Sequence, residues 1–179
     1  FSFFFFLQDI SKVVQIARKH NAKTYIDNTY CTPIFQNPLD LGVDIVMHTM
    51  SKYIGGHSDI IGGVLIANDE DLLKKLMLHR ELYGGILGPM EAWLAIRGLR
   101  TIEVRLRQHE KNAMAVAAFL DKHPRVKTVN YPGLPSFPQY DLMKKQQKGN
   151  CGLMSFEIDS TMEQTKKFCQ ALSIFKIGV

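Results

Sequence analysis

Lys52 stands in a segment whose residue types fit covalent chemistry with a carbonyl compound. It closes the run Thr49-Met50-Ser51-Lys52 and is followed by the glycine-containing run Tyr53-Ile54-Gly55-Gly56-His57-Ser58-Asp59. A lysine amine that attacks a carbonyl has to be neutral part of the time, which burial beside apolar or cationic groups can arrange. The segment therefore predicts a Schiff-base lysine at position 52.

Two hydroxyls and a carboxylate complete a recognisable set of groups. Thr49 and Ser51 flank Met50, and both side chains can turn toward one anion, such as a phosphate, if the chain bends there. Asp27 ends a short apolar run, and a carboxylate there is able to keep a pyridinium nitrogen protonated. The combination predicts a binding site for pyridoxal 5'-phosphate.

Longer motifs run through the chain from about Asp9 onward. They comprise Asp27-Asn28-Thr29-Tyr30-Cys31-Thr32-Pro33, Pro38-Leu39-Asp40-Leu41-Gly42-Val43-Asp44-Ile45-Val46, Ser51-Lys52-Tyr53-Ile54-Gly55-Gly56-His57-Ser58-Asp59, Leu87-Gly88-Pro89-Met90-Glu91-Ala92-Trp93, Arg97-Gly98-Leu99-Arg100-Thr101 and Tyr131-Pro132-Gly133-Leu134-Pro135-Ser136. In order and spacing they resemble the Cys/Met metabolism pyridoxal phosphate enzymes, the trans-sulfuration family of cystathionine gamma-synthases, cystathionine beta- and gamma-lyases and methionine gamma-lyases.

The resemblance implies an α/β fold of the fold-type I, aspartate aminotransferase-like class. Residues 8–122 would form part of the cofactor-binding domain, and residues 123–179 the beginning of a smaller C-terminal α+β domain. The implied reaction is β- or γ-elimination, or γ-replacement, on sulfur amino acids or activated homoserine esters. Family members are usually tetramers, so a homo-oligomer is implied as well.

The resemblance also implies a role for each candidate residue. Lys52 would carry the cofactor and afterwards move protons, while Asp27 would hold the ring nitrogen protonated. Thr49 and Ser51 match the family's phosphate-contacting hydroxyls, although the family more often has serine first and threonine second. Thr29 is similar to a family position near the cofactor ring.

Each of these residues also has a structural interpretation. Lys52 could be a surface lysine after a strand, and Asp27 could cap a turn. Cys31 is either a reactive thiol near the site or a small buried filler. The paired glycines after Lys52 do not make a nucleotide-binding loop, because that loop has its lysine after the glycines.

Composition and residue spacing give little support to several other classes of function. The 22 Lys and Arg residues exceed the 17 Asp and Glu residues modestly and are scattered, which gives little support to nucleic-acid binding. His48, His57 and His79 do not have a metal-ligand spacing, so no metal is predicted. Three cysteines without Cys-x-x-Cys spacing are typical of a reducing compartment, and a cytoplasmic location is expected.

The two ends of the chain carry a further expectation. The run Phe1-Ser2-Phe3-Phe4-Phe5-Phe6-Leu7 departs from the family pattern and is too short to span a membrane, so we expect a truncation or an altered reading of the sequence here and not a membrane anchor. In the family, a phosphate loop, a ring-stacking aromatic residue and a carboxylate-binding arginine fall outside a segment of this length. The alternative to an enzyme is therefore a catalytically incomplete fragment that acts only by association, through an apolar patch at Phe3 to Leu7 if that patch is exposed.

Hydrophobic periodicity predicts the elements that must position these residues. Strands are expected at 24–26, 44–48, 63–67, 126–131 and 153–158, with the first three buried on both faces. Helices are expected after Asp9, after the cap Asp69 with a packed face of Leu72, Leu73, Leu76 and Met77, at 91–97 with Gly98 as its stop, at 101–122, and after a capping box at Ser160–Glu163. Asp27 and Thr49 would then lie at the carboxyl ends of two strands, where open α/β sheets bind ligands.

Overall fold

The computed structural model describes residues 6–175, so residues 1–5 of the phenylalanine-rich start and residues 176–179 lie outside the described part. The helices are α1 (Ile10–Lys19), α2 (Thr32–Phe35), α3 (Glu70–Tyr83), α4 (Pro89–Leu99), α5 (Ile102–Asp121), α6 (Tyr140–Gln146) and α7 (Met162–Ala171). The strands are β1 (Tyr25–Asp27), β2 (Ile45–Thr49), β3 (Gly63–Ile66), β4 (Val126–Asn130) and β5 (Ser155–Ile158). A 3-10 turn at Pro38–Leu41 and a one-turn π-helix at Met50–Ile54 complete the fold.

A three-stranded sheet positions the first half of the chain. Its order is β1-β2-β3, with β1 parallel to β2 and β3 antiparallel to β2. The parallel pair aligns Ile26 with Val46. Helix α1 packs Ile10 and Val14 against Val43 and Val46 in one buried cluster, so burial of apolar surface fixes this pair of strands beneath α1.

Asp44 joins the beginnings of β1 and β2. One carboxylate oxygen accepts bonds from the Thr24 N–H at 2.8 Å and the Thr24 hydroxyl at 2.7 Å, and the other accepts from Lys23 Nζ at 3.0 Å. In return the Asp44 N–H donates to Thr24 Oγ1 at 2.9 Å. Hydrogen bonding from Thr24, with a smaller contribution from Lys23, lowers the pKa of Asp44 to about 2.

The second sheet lies beside α5. Strands β4 and β5 are antiparallel, and α5 contributes Ala113 and Ala117 to the buried cluster that includes Val129 and Tyr131. The small side chains of the two alanines allow the helix to approach the sheet closely. Helix α5 also packs Ile102 and Leu106 against Phe35 and Ile54, so it contacts elements on both sides of the boundary predicted at residue 122.

Two glutamine side chains hold the segment before α1. Gln139 accepts from the Leu7 N–H at 2.7 Å and donates to the Leu7 carbonyl at 2.9 Å. Gln146 donates to the Gln8 carbonyl at 2.9 Å and accepts from the Ile10 N–H at 3.4 Å. We call these two pairs of bonds the glutamine strap. They pair backbone groups of Leu7, Gln8 and Ile10 with side chains, as a neighbouring strand would pair them with backbone.

The expected α/β architecture is confirmed, with the main strands and helices close to their predicted positions. The expected burial of both sheet faces is wrong within the described chain, because Tyr25, Leu65 and Ile66 are exposed. The expected packed face of α3 is only partly buried, since Leu72, Leu73 and Leu76 are half-buried, Met77 is exposed and no residue of α3 is fully buried. Periodicity shows that a face is apolar, but it does not show what covers that face.

Two local predictions need correction. The capping box of α7 uses Thr161 and Gln164, one residue beyond the predicted Ser160 and Glu163, because the helix begins one residue later. Gly98 does not stop α4, which continues to Leu99. The sequence also gave no signal for the short helices α2 and α6 or for the π-helical turn.

Among residues 6–175, no helix is long and apolar enough to cross a membrane.

Replacing Asp44 with alanine should lower the free energy of unfolding by about 1–3 kcal/mol, because bonds to a charged carboxylate are lost at the junction of β1 and β2. The exposed Asp40→Ala is the control and should have little effect. The folded pKa of Asp44 is about 2 and its ordinary value is 3.8, so the stabilisation is complete above 3.8 and disappears as the pH falls toward 2. Urea unfolding measured from pH 5 to pH 2.5 checks this, and a wild-type-minus-variant difference that stays constant down to pH 2.5 would contradict it.

Candidate active site at the carboxyl ends of two strands

The predicted site residues gather at one edge of the three-stranded sheet. Asp27 is the last residue of β1 and Thr49 the last of β2. Because the two strands are parallel and Asp27 pairs with Met47, their carboxyl ends point to the same side. The structure thus brings together two segments that are distant in the sequence.

Thr29 links the two strand ends directly. Its buried hydroxyl donates to Asp27 Oδ1 and accepts from the Thr49 N–H at 2.9 Å. Its own N–H donates to the same Asp27 oxygen at 2.9 Å. Among the bonds of the described chain, those to Asp27 therefore converge on Oδ1, and the Thr29 side chain orients the carboxylate.

The two hydroxyls predicted to contact a phosphate lie side by side. Thr49 Oγ1 and Ser51 Oγ are 3.4 Å apart, and Thr49 Oγ1 is also 3.3 Å from the Gly62 carbonyl oxygen. The Met50 N–H between them donates to that same carbonyl at 2.8 Å. The bend after β2 therefore places both hydroxyls where one anion can contact them.

Lys52 lies in the π-helical turn that follows this bend. Its backbone has φ −102° and ψ −113°, a departure from helical geometry at the functional candidate itself. The residue is exposed in the described chain, so the expected burial of its amine is not observed. It lines a cavity of about 300 Å³ together with Tyr30, Ser51, Tyr53, Gly56, Ser58, Arg105 and His109.

Asp27 lines a second, more apolar cavity of about 270 Å³. Tyr30 lines both cavities and therefore borders the cavity of the carboxylate as well as that of the lysine. Cys31 is in the second cavity as well, and burial, with a smaller contribution from Cys151, raises the pKa of its thiol to about 12. A thiol that stays protonated at neutral pH favours the filler interpretation of Cys31.

Three aromatic or basic groups near Lys52 were not singled out from the sequence as site residues. The Tyr53 and His109 rings meet edge to face with centroids 5.6 Å apart. Burial raises the pKa of Tyr53 to about 12, against the opposing effect of a bond from the Gly152 N–H. Arg105 reaches the turn from α5, and burial lowers its pKa. Arg105 and His109 are four residues apart on one helix face, but nothing local in the sequence indicates that this face meets Lys52.

The histidine at position 48 is buried next to the site. Its Nδ1 has no hydrogen-bond partner in the described chain, and burial lowers its pKa although the charge of Asp27 opposes that shift. A neutral, structural histidine is what such an environment stabilises. Within residues 6–175 there is no group of three or more His, Cys, Asp or Glu residues that could hold a metal ion.

Comparison with known proteins gives the same class of enzyme. A cystathionine gamma-lyase from Dictyostelium discoideum is 44% identical over 170 residues, which cover 95% of this chain and 44% of that protein. An L-methionine gamma-lyase from Porphyromonas gingivalis is 44% identical over 177 residues, covering 97% of this chain and 44% of that protein. The chain thus spans a little under half the length of these relatives.

Solved structures agree with the sequence comparison. The structure of cystathionine gamma synthase from Xanthomonas oryzae pv. oryzae, in complex with aminoacrylate and cysteine, matches with a TM-score of 0.94 and 40% identity, over 97% of this chain and 45% of that one. That of cystathionine gamma-lyase from Lactobacillus plantarum, complexed with L-serine, matches with a TM-score of 0.92 and 38% identity. The fold is therefore that of pyridoxal-phosphate-dependent enzymes.

A family model narrows this class. The model described as Cys/Met metabolism PLP-dependent enzyme matches residues 4–179. The chain belongs to this family, as the sequence motifs predicted.

Replacing Thr29 with valine tests the link between the strands. Valine has the shape of threonine without the hydroxyl, so the Thr49 N–H loses its partner, and the free energy of unfolding should fall by about 1–3 kcal/mol. Thr29→Ser keeps the hydroxyl and should cost about 1 kcal/mol or less, the value of one methyl group. Chemical denaturation of both variants measures the difference, and equal losses in the two would show that the hydroxyl contributes nothing.

Proposed function

We propose that this chain supplies the lysine-bearing part of a pyridoxal phosphate site in a trans-sulfuration-type enzyme. The observation that carries the proposal is the hydroxyl pair of Thr49 and Ser51, 3.4 Å apart, directly before Lys52 at the end of a strand parallel to the one that ends in Asp27. The amine, the two adjacent hydroxyls and the carboxylate at this sheet edge match the aldehyde, the phosphate and the ring nitrogen of that cofactor.

The residues present fit this cofactor in kind. Thr49 and Ser51 would hold the phosphate, Lys52 would attach covalently to the aldehyde carbon, and Asp27, oriented by Thr29, would face the ring nitrogen. When bound, the cofactor supplies an electron sink for a carbanion at the substrate Cα. The Lys52 amine, once free, is the group placed to carry a proton to or from the substrate.

The proposed substrates are sulfur amino acids or activated homoserine esters. Proteins similar to this chain include a cystathionine gamma-lyase, a cystathionine beta-lyase, a cystathionine gamma-synthase and a methionine gamma-lyase. All four names fit β- or γ-elimination or γ-replacement at the side chain of an amino acid. Their similar identities to this chain support the reaction class without favouring one member.

The direct test is covalent attachment of the cofactor at Lys52. The purified chain, mixed with pyridoxal phosphate, should develop the visible absorbance of a lysine-bound pyridoxal group, and borohydride reduction followed by peptide mass spectrometry should place the added mass on Lys52. Lys52→Ala should lose both signals, whereas Lys74→Ala, an exposed lysine paired with Asp71 on α3, should keep them. A folded chain that shows no attachment, or attachment that persists in Lys52→Ala, rejects the proposal.

The proposal includes a homo-oligomer. An exposed apolar surface on α3, α4 and the loop between them, which we call the α3–α4 surface, is formed by Met77, Leu78, Leu82, Tyr83, Ile86, Met90, Trp93, Ile96 and Leu99. Large apolar side chains exposed in this number on neighbouring elements are typical of protein interfaces. The same surface supports a second candidate function, in which the chain associates with a copy or a longer relative without catalysing a reaction.

Sedimentation velocity tests this association. The chain should sediment as an oligomer, and Trp93→Arg, at a side chain 57% exposed, should shift it toward monomer because a charge cannot be buried unpaired in an apolar interface. Val104→Arg is the matched control, since Val104 is 76% exposed on α5 outside that surface. A monomeric wild-type chain, or equal effects of the two variants, contradicts the proposed surface.

Two further predictions belong to this proposal. The division into residues 8–122 and 123–179 is supported by the separate β4–β5 sheet, although α5 packs against that sheet from the other side of the boundary. A cytoplasmic location is supported by three cysteines that are all free thiols.

A further inference from the structure

Arg105 makes three hydrogen bonds that meet around the turn carrying Lys52. Its Nη1 donates to the Tyr53 carbonyl at 2.9 Å, its Nη2 to the Gly98 carbonyl at 2.9 Å, and its Nε to Thr101 Oγ1 at 3.1 Å. One guanidinium thus joins the Lys52 turn, the end of α4 and the start of α5. The planar fork of arginine suits this task, because its donors point in fixed and different directions.

The bond to Tyr53 acts on the residue directly after Lys52. The turn is closed by two backbone bonds, from the Gly55 N–H to the Met50 carbonyl at 2.8 Å and from the Gly56 N–H to the Lys52 carbonyl at 2.7 Å. The backbone of Lys52, inside this turn, departs from helical angles. The hydrogen bonds within the turn therefore do not fully determine the direction of the Lys52 side chain. The Tyr53 carbonyl is a point at which α5 holds the turn from outside.

Two glycines make room for this contact. Gly56 has φ +77°, and a side chain there would run into the Arg105 guanidinium. Gly98 packs its Cα face against the backbone carbonyls of Ile54 and Gly55, where a Cβ would collide with both. The turn is therefore held between α4 and α5 by close packing as well as by hydrogen bonds.

Capping of α4 alone does not account for this arrangement. The bonds to Gly98 and Thr101 would be enough to cap the carboxyl end of α4. The third bond of Arg105 has no part in that cap, because it goes to the Tyr53 carbonyl in the Lys52 turn. Arg105 also lines the same cavity as Lys52. The geometry therefore connects this arginine to the candidate lysine, although no bond of Arg105 to Lys52 itself is involved.

We infer that Arg105 is a positioning residue, which fixes the turn so that the Lys52 side chain points into the cavity that it shares with Ser51. The expected effect of Arg105 on cofactor attachment rests on the proposed role of Lys52. Whether Arg105 holds the turn can be measured on the polypeptide without any cofactor.

The experiment compares Arg105→Met, Arg105→Lys and the control Arg107→Met in the full chain. Arg107 is on the same helix but contacts Glu103, Glu110 and the Phe35 ring. In Arg105→Met, hydrogen exchange at the Gly55 and Gly56 amides should become about tenfold faster, with exchange at Val129 in β4 unchanged, because only the turn loosens. Arg105→Lys should give an intermediate rate, since one ammonium cannot reach all three acceptors.

Cofactor attachment provides the second readout. The pyridoxal phosphate concentration for half-maximal visible absorbance should rise about tenfold in Arg105→Met, about the effect of losing one bond to a charged donor, and less in Arg105→Lys. Arg107→Met should match the wild type. The comparison separates positioning of the turn from a general loss of stability. A general loss of stability would also speed exchange at Val129 and would appear in Arg107→Met as well.

The outcomes are distinct. Faster exchange confined to the turn, with partial rescue by lysine, supports the inference. Unchanged exchange at Gly55 and Gly56, or equally faster exchange at Val129, overturns it, and if Arg105→Met does not fold, Arg105→Lys decides by the same comparison. A wild-type chain that fails to attach the cofactor at Lys52 rejects the proposed function, whereas the exchange rates still decide whether Arg105 holds the turn.

Discussion

The Thr29 hydroxyl, shared between Asp27 and the Thr49 N–H, is the interaction on which the candidate site depends. Parallel pairing of β1 and β2 brings two strand ends to one edge, but pairing alone leaves the residues beyond each strand free to diverge. The Thr29 hydroxyl donates to Asp27 at the end of β1 and accepts from the Thr49 N–H at the end of β2. It therefore fixes the position of the carboxylate relative to the Thr49–Ser51 hydroxyl pair. A buried group that satisfies both partners also makes any other arrangement costly.

The lysine turn is constrained from the opposite side. Helices α4 and α5 contact it through Gly98 and Arg105, whereas the bend at Thr49 attaches it to the sheet. The site is therefore assembled from local strand-end chemistry on one side and tertiary contacts on the other. This division explains why Lys52 can be exposed in the described chain and still have a defined backbone geometry.

The sequence was sufficient for the parts of the fold that local rules determine. Apolar periodicity located the main helices and strands, and the family motifs identified the class of enzyme. It failed where a residue's role depends on a distant partner. Gly98 looks like a helix stop but is a contact surface inside α4, and Arg105 looks like a solvated helix residue until the fold places the Tyr53 carbonyl beside it. The exposed face of α3 illustrates the same limit, because amphipathicity does not identify the partner of a face.

The glutamine strap has a consequence for the order in which the chain acquires its structure. Leu7 is bonded to a side chain 132 positions away, and the contact between Gln8 and Gln146 spans 138 positions. During synthesis these bonds cannot form until α6 has left the ribosome, whereas α1 and the β1–β2 pair need only nearby sequence. Closing so long a loop carries an entropic cost that is recovered late. The segment before α1 is therefore synthesised before its hydrogen-bond partners, and its docking depends on sequence that emerges later.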